Sequence, residues 1–123
     1  MARILIVDDD KGATDLIEQI MRSRGYETTS VNESNQAMDV ARSTQPNLII
    51  LDLMMPEPTG FQLCRMLRAD PSFIGTPIVI VTALDDSDSR LVAFGAGADD
   101  YVTKPIQIEE LTEIIRVLLD EAE

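Results

Sequence analysis

Ile4-Leu5-Ile6-Val7-Asp8-Asp9-Asp10 is an apolar run that stops on three aspartates. The same arrangement recurs along the chain: Leu48-Ile49-Ile50-Leu51 stops on Asp52, Ile78-Val79-Ile80-Val81 on Thr82, and Tyr101-Val102-Thr103 on Lys104-Pro105. Short runs rich in Ile, Leu and Val without polar alternation read as strands buried on both faces, as in a parallel sheet covered by helices. In such sheets the ligand crevice lies at the carboxyl ends of the strands. Carboxylates, a hydroxyl and an ammonium therefore converge on one small region.

Between these runs the apolar period becomes helical. Ala13, Leu16, Ile17, Ile20 and Met21 mark a first helix, which Gly25 stops. Tyr26 to Val31 reads as a shorter, more polar strand near a sheet edge. A second helix spans about Glu33 to Thr44 and buries Ala37, Val40 and Ala41, with Pro46 beyond its end. Thr59 caps a third helix that buries Phe61, Cys64 and Leu67 and stops near Asp70-Pro71. A fourth starts within Asp85 to Ser89 and carries Leu91, Phe94 and Ala98, weakened at its far end by Gly95 and Gly97. The fifth, about Gln107 to Asp120, buries Ile108, Leu111, Ile115 and Leu118.

Five β-α alternations imply parallel strands joined by crossover helices. Covering both faces requires winding the sheet in two directions, and the five-strand solution is the order 2-1-3-4-5. The predicted fold is thus an α/β, single-domain, doubly wound (βα)5 flavodoxin-like sandwich. Asp8, Asp9 and Asp52 then sit together at the point where the strand order reverses.

With 10 basic and 22 acidic residues in 123, the formal charge is −12. That balance predicts no direct DNA binding by the chain and no attraction to an anionic membrane surface. One cysteine, Cys64, permits no internal disulfide, so a reduced, cytoplasmic setting is the default. No apolar stretch approaches the roughly 20 residues that span a bilayer, and no signal-peptide pattern precedes the first strand; a soluble protein is expected.

Several carboxylates in one crevice repel, and Lys104 supplies a single positive charge. A hard divalent cation with oxygen ligands completes the balance, and Mg²⁺ characteristically takes one or two carboxylates plus phosphate oxygens and waters. A single acid after a strand reads most simply as a helix cap or a solvated loop. Four strand ends with complementary chemistry favour function.

Val7-Asp8-Asp9-Asp10, Leu51-Asp52-Leu53-Met54-Met55-Pro56 with Gly60, Val81-Thr82-Ala83, and Gly97-Ala98-Asp99-Asp100-Tyr101-Val102-Thr103-Lys104-Pro105 occur in that order. In this order and spacing they identify a resemblance to the response-regulator receiver domains of two-component signalling, of the CheY-like superfamily. The resemblance covers essentially the whole chain, residues 1–123. It implies a phosphoryl acceptor at Asp52 and an acidic pair, Asp8 and Asp9, positioning Mg²⁺, for which Mn²⁺ is a substitute. Asp9, Asp52 and the carbonyl of Met54 are then direct ligands. Lys104, the Thr82 hydroxyl and the Ala83 amide hold phosphoryl oxygens, and Lys104-Pro105 is a candidate cis peptide.

The chain has no histidine. The donor implied by the resemblance is a sensor histidine kinase or a histidine phosphotransfer protein. Thr82 and Tyr101 would act as the switch, altering the surface of the fourth helix, fifth strand and fifth helix toward a homodimer or a downstream effector. On the last helix, Glu110, Ile114, Val117 and Glu121 form a stripe opposite the expected core face. Arg90 and Glu110 resemble a charge pair of OmpR-like dimers, but Ile114 stands where such dimers place an arginine facing Asp100. Met54 and Leu84 fill the two variable places that tune hydrolysis in receivers; both are apolar and predict a long-lived phosphoryl group. The domain is read as a signalling switch, not an enzyme.

Two rivals share parts of the pattern. A haloacid-dehalogenase-type phosphohydrolase would use Asp8 as nucleophile and Asp10 as acid-base, leaving Asp52 idle. A receiver-like binding module that is never phosphorylated would not need the complete set of Asp8, Asp9, Asp52, Thr82 and Lys104. A flavin-binding protein of the same fold class is opposed by the lack of a Ser/Thr/Gly-rich loop after the first strand.

Overall fold

The computed structural model describes the backbone of residues 1–122 and side chains through Asp120. Among the described residues the elements are β1 (Arg3–Val7), α1 (Lys11–Ser23), β2 (Glu27–Val31), a 3-10 turn (Ser34–Gln36), α2 (Ala37–Thr44), β3 (Leu48–Leu51), α3 (Gly60–Ala69), a second 3-10 turn (Pro71–Phe73), β4 (Ile78–Thr82), α4 (Ser87–Gly95), β5 (Asp100–Thr103) and α5 (Ile108–Ala122). All strand pairs are parallel and the order is β2-β1-β3-β4-β5, as the alternation predicts.

Alternate residues of each strand feed opposite faces, because successive side chains point to opposite sides of a pleated strand. Leu5, Val7, Ile49, Leu51, Ile78 and Ile80 pack with Leu63, Cys64 and Leu67 of α3 and with Ala37 and Ala41 of α2. Ile4, Ile6, Leu48, Ile50, Val79 and Val81 pack with Ile17, Ile20 and Met21 of α1 and Leu111 and Ile115 of α5. Both faces are dry, so the runs carry no polar alternation. Each fully buried Ile, Leu or Val contributes about 1.5–3 kcal/mol relative to exposure. Cys64 is fully buried, and burial pushes its thiol up.

Several helical phases differ from the sequence reading. Leu16 is exposed, and Thr14 takes the inward place beside Ile17. The buried hydroxyl of Thr14 is satisfied locally, donating to the Lys11 carbonyl at 3.0 Å. On α2, Met38 is buried and Val40 only half-buried. On α4 only Ala93 is buried; Leu91, Val92 and Phe94 are exposed, and Ala98 lies beyond the helix. On α5 the inward row is Leu111, Ile115 and Leu119, at intervals of four, with Leu118 at its margin and Ile108 exposed. Steps of three and of four both lie on one helix face, so the composition of a row does not settle which edge meets the sheet.

Register carries the site. Val7 pairs with Leu51, Leu51 with Ile80, and Thr82 with Thr103. Asp8 and Asp52 each follow a strand end, Thr82 ends β4, and Lys104 follows β5. The strand pairing therefore places these residues on one rim.

Candidate functional site

Two carboxylates and one ammonium form the centre of the rim. Lys104 Nζ donates to Asp8 Oδ2 at 2.8 Å and to Asp52 Oδ2 at 2.9 Å. Asp8 and Asp52 are 2% and 5% exposed, so the interaction is poorly screened. Asp8 Oδ1 accepts from the Asp10 amide at 3.0 Å, and Asp52 Oδ1 from the Met54 amide at 3.1 Å. Lys104-Pro105 is cis, as the resemblance implies.

The two acids are perturbed in opposite directions. Burial pushes Asp8 above the usual carboxylate range, more than Lys104 and the Asp10 amide pull it down, and Asp52 adds to the rise. Burial also pushes Asp52 upward, but the Met54 amide, Lys104 and the Thr82 hydroxyl outweigh it and hold Asp52 below that range. Lys104 is depressed by burial yet raised on balance by its two carboxylate partners. Asp52 is thus the better-stabilised anion, and a nucleophile must be in that form.

The loop after β3 is built to hold Asp52 still. Leu53 and Met55 are buried while Met54 between them is exposed, so the loop is anchored on both sides of the outward residue. Thr59 and Gln62 form a capping box at the start of α3. Gly60 lies against this loop, where a Cβ would overlap the Asp52 carbonyl oxygen and the Leu53 backbone. That contact explains the glycine of the sequence motif.

Thr82 is fully buried at the end of β4 and Ala83 is exposed beside it. Tyr101 is buried, donates from its hydroxyl to the Leu84 carbonyl at 2.7 Å, and packs against Phe94. Arg90 lies over the Tyr101 ring, 4.6 Å from its centroid. Asp100 accepts from the Tyr101 amide at 2.8 Å. Glu110 is exposed, whereas Ile114 and Val117 are half-buried and Ile114 leans on the α1/α5 core. The expected stripe on α5 is therefore partly absorbed into the fold; the side chain of Glu121 lies outside the described residues.

Asp9 is exposed at the rim. Asp10 is engaged elsewhere: its carboxylate caps α1, accepting from Gly12 N at 2.9 Å. That role commits one of its two carboxylate oxygens to the helix terminus. Among the described residues no three acidic, His or Cys side chains ring a common point. The available donors are instead two buried carboxylates, one exposed carboxylate and a loop carbonyl, all hard oxygens. Such a set suits Mg²⁺, which keeps waters and binds through few carboxylates.

Two polar residues escaped the sequence reading. Asn32, immediately after β2, donates through Nδ2 to the Asp8 carbonyl at 2.9 Å and to Thr14 Oγ1 at 3.0 Å. Ser34 donates to the Pro56 carbonyl at 2.8 Å, tying the loop after β2 to the loop after β3. Position at a strand's carboxyl end was the available signal, but β2 ends in a mixed polar run rather than on a lone polar residue.

The chain matches the model of the response regulator receiver domain over residues 4–116. It is 39% identical over 117 residues to the DNA-binding response regulator MtrA of Mycolicibacterium smegmatis, covering 95% of this chain and 50% of that protein. It is also 39% identical over 119 residues to the DNA-binding dual master transcriptional regulator RpaA of Synechocystis, covering 97% of this chain and 49% of the relative. A CheY-like response regulator receiver domain protein from Methanospirillum hungatei superposes with a TM-score of 0.92 at 30% identity, covering 99% of this chain and 96% of that one.

The chain thus spans about half the length of the curated relatives it matches. DNA binding is part of the names of both, which corrects the expectation drawn from the net charge. The charge of a segment half as long as its relatives carries no information about the surfaces of the other half. Among the described residues no helix is long and apolar enough to cross a membrane.

Proposed function

The chain belongs to the response regulator receiver domain family, a family of signalling switches, and from that membership we propose that it accepts a phosphoryl group on Asp52. The observation that carries this reading is the pair of hydrogen bonds from Lys104 to Asp8 and Asp52, with Asp52 held as an anion. Residues 1–123 act as one receiver domain, and the donor is a phosphohistidine of a sensor kinase or phosphotransfer protein.

A carboxylate oxygen of Asp52 attacks phosphorus in line. The P–O bond forms as the P–N bond of phosphohistidine breaks, and the departing imidazole nitrogen keeps that electron pair and takes a proton from solvent water. Phosphoryl transfer needs mainly positioning and charge neutralisation. Lys104 lies 2.9 Å from Asp52 and can follow the charge onto a phosphoryl oxygen, while the Thr82 hydroxyl and Ala83 amide supply further donors. Asp9, Asp52 and the Met54 carbonyl would hold Mg²⁺ or Mn²⁺, with Asp8 orienting it. Such an ion neutralises the transferring oxygens.

The added group carries about 1.5–2 negative charges. A shift of Thr82 toward it is transmitted to Tyr101 and so to Arg90 and Phe94, which pack on that ring. The readout surface comprises α4, β5 and α5, with Arg90, Asp100, Glu110, Ile114 and Val117 at its margin. Met54 and Leu84 offer no group to orient a hydrolytic water, so the phosphoryl group is long-lived.

The test is labelling with acetyl phosphate and Mg²⁺, followed by intact mass. Wild type should gain one phosphoryl adduct and Asp52→Ala none. An adduct retained by Asp52→Ala, or mapped to Asp8, overturns the proposal.

A further inference from the structure

Asp8 and Asp52 are held by Lys104 and by backbone amides. Asp9 is exposed, so the direction of its carboxylate depends chiefly on the backbone that carries it. The Asp8 carbonyl belongs to the same planar peptide unit as the Asp9 amide. Whatever fixes that carbonyl fixes the plane from which Asp9 projects.

Asn32 does so. Its Nδ2 donates one hydrogen to the Asp8 carbonyl at 2.9 Å and the other to Thr14 Oγ1 at 3.0 Å. The assignment of nitrogen to this position follows from chemistry. A carbonyl only accepts, and the Thr14 hydroxyl donates its own hydrogen to the Lys11 carbonyl at 3.0 Å. Both partners therefore require a donor, and an amide nitrogen supplies two. Thr14 is 1% exposed, so the anchor is dry and rigid. The amide ties the end of β2 and the first turn of α1 to one peptide plane.

We infer that Asn32 is a positioning residue that aims Asp9 and thereby sets the affinity of the rim for a divalent cation. The inference rests on the proposed function above, and it concerns Asp9 rather than the nucleophile. Groups that orient metal ligands from behind are typically worth about 10–100-fold in metal affinity.

The experiment compares wild type with Asn32→Leu, which keeps the branched heavy-atom skeleton and removes both donors. Mg²⁺ alone is titrated calorimetrically into the full chain, and acetyl phosphate labelling is then followed at increasing Mg²⁺. The expected result is a dissociation constant raised about 10-fold, with the half-saturating Mg²⁺ for labelling raised in parallel and the rate at saturating Mg²⁺ close to wild type. Thr14→Val should raise the constant less and Thr14→Ser should restore it. Should Asn32→Leu fail to fold, Asn32→Ala carries the same expectation. A lowered melting temperature with unchanged Mg²⁺ affinity would show a merely structural amide and overturn the inference. Wild type that neither binds Mg²⁺ nor labels would instead overturn the proposed function.

Discussion

Charged networks stand at both ends of the sheet, and they are finished to different degrees. At the amino ends of β4 and β5, Arg68 of α3 donates to the carbonyls of Gly97 (2.9 Å), Phe73 (2.7 Å) and Thr76 (2.8 Å) and to Asp99 Oδ2 (2.7 Å). Asp99 Oδ2 also accepts from the Ile78 amide at 2.8 Å. One cation meets one anion, and four of the five guanidinium donors are used. Gly97 has φ +111°, and a Cβ there would overlap the Arg68 side chain. At the carboxyl ends, Lys104 is the one cation paired with Asp8 and Asp52 among the described residues, with Asp9 nearby in sequence. The first network is closed and holds structure together. The second is left one cation short, and that shortage is what a divalent cation would fill.

The largest expected contrast is kinetic. Lys104→Met should slow acetyl phosphate labelling by about 10²–10³-fold, the usual loss for one donor to a developing anion. Arg68→Leu should leave the labelling rate unchanged at temperatures where the protein is folded. Comparable slowing in both variants would erase the distinction between the two ends.

In stability the order reverses. Arg68→Leu strands the carbonyls of Gly97 and Thr76, leaves the Phe73 carbonyl to the Thr76 amide at 3.2 Å and takes the cation from Asp99, and should cost about 2–4 kcal/mol. A drop of about 10 °C in melting temperature is the corresponding calorimetric signal. The acids sharpen the contrast by sign. Asp99→Asn should destabilise by about 1 kcal/mol, since it weakens a closed pair. Asp8→Asn should instead stabilise in metal-free buffer, because its anion is disfavoured by burial and by Asp52. Two shifts of the same sign in urea unfolding would refute the argument.

The smallest effect is in pH dependence without metal. Asp8 has a folded value above its usual 3.8, so the folded state holds that proton more tightly. Stability should rise as pH falls from that folded value toward 3.8. Asp52 lies below 3.8, and the stability it contributes above 3.8 is lost as pH falls through its folded value. Lys104 lies above 10.5, so its contribution is present below 10.5 and lost as pH rises through its folded value. An acid titration of Asp8→Asn should keep the second transition and lose the first rise.

The chain's own order of residues determined the strands, their arrangement and the polar rim at their carboxyl ends. Four apolar runs ending on Asp8, Asp52, Thr82 and Lys104 are local patterns, and parallel register converts them directly into neighbours. Tertiary structure decided the rest. Leu16 turns outward and Ile114 leans inward because helix phase depends on the surface met, not on the row of apolar residues alone. Asn32 reaches Asp8, Arg68 reaches Gly97 and Asp99, and Arg90 covers Tyr101 through side chains crossing between separate elements. Such reach is set by distances that exist only after the sheet and helices have packed, so no periodicity in the sequence encodes it.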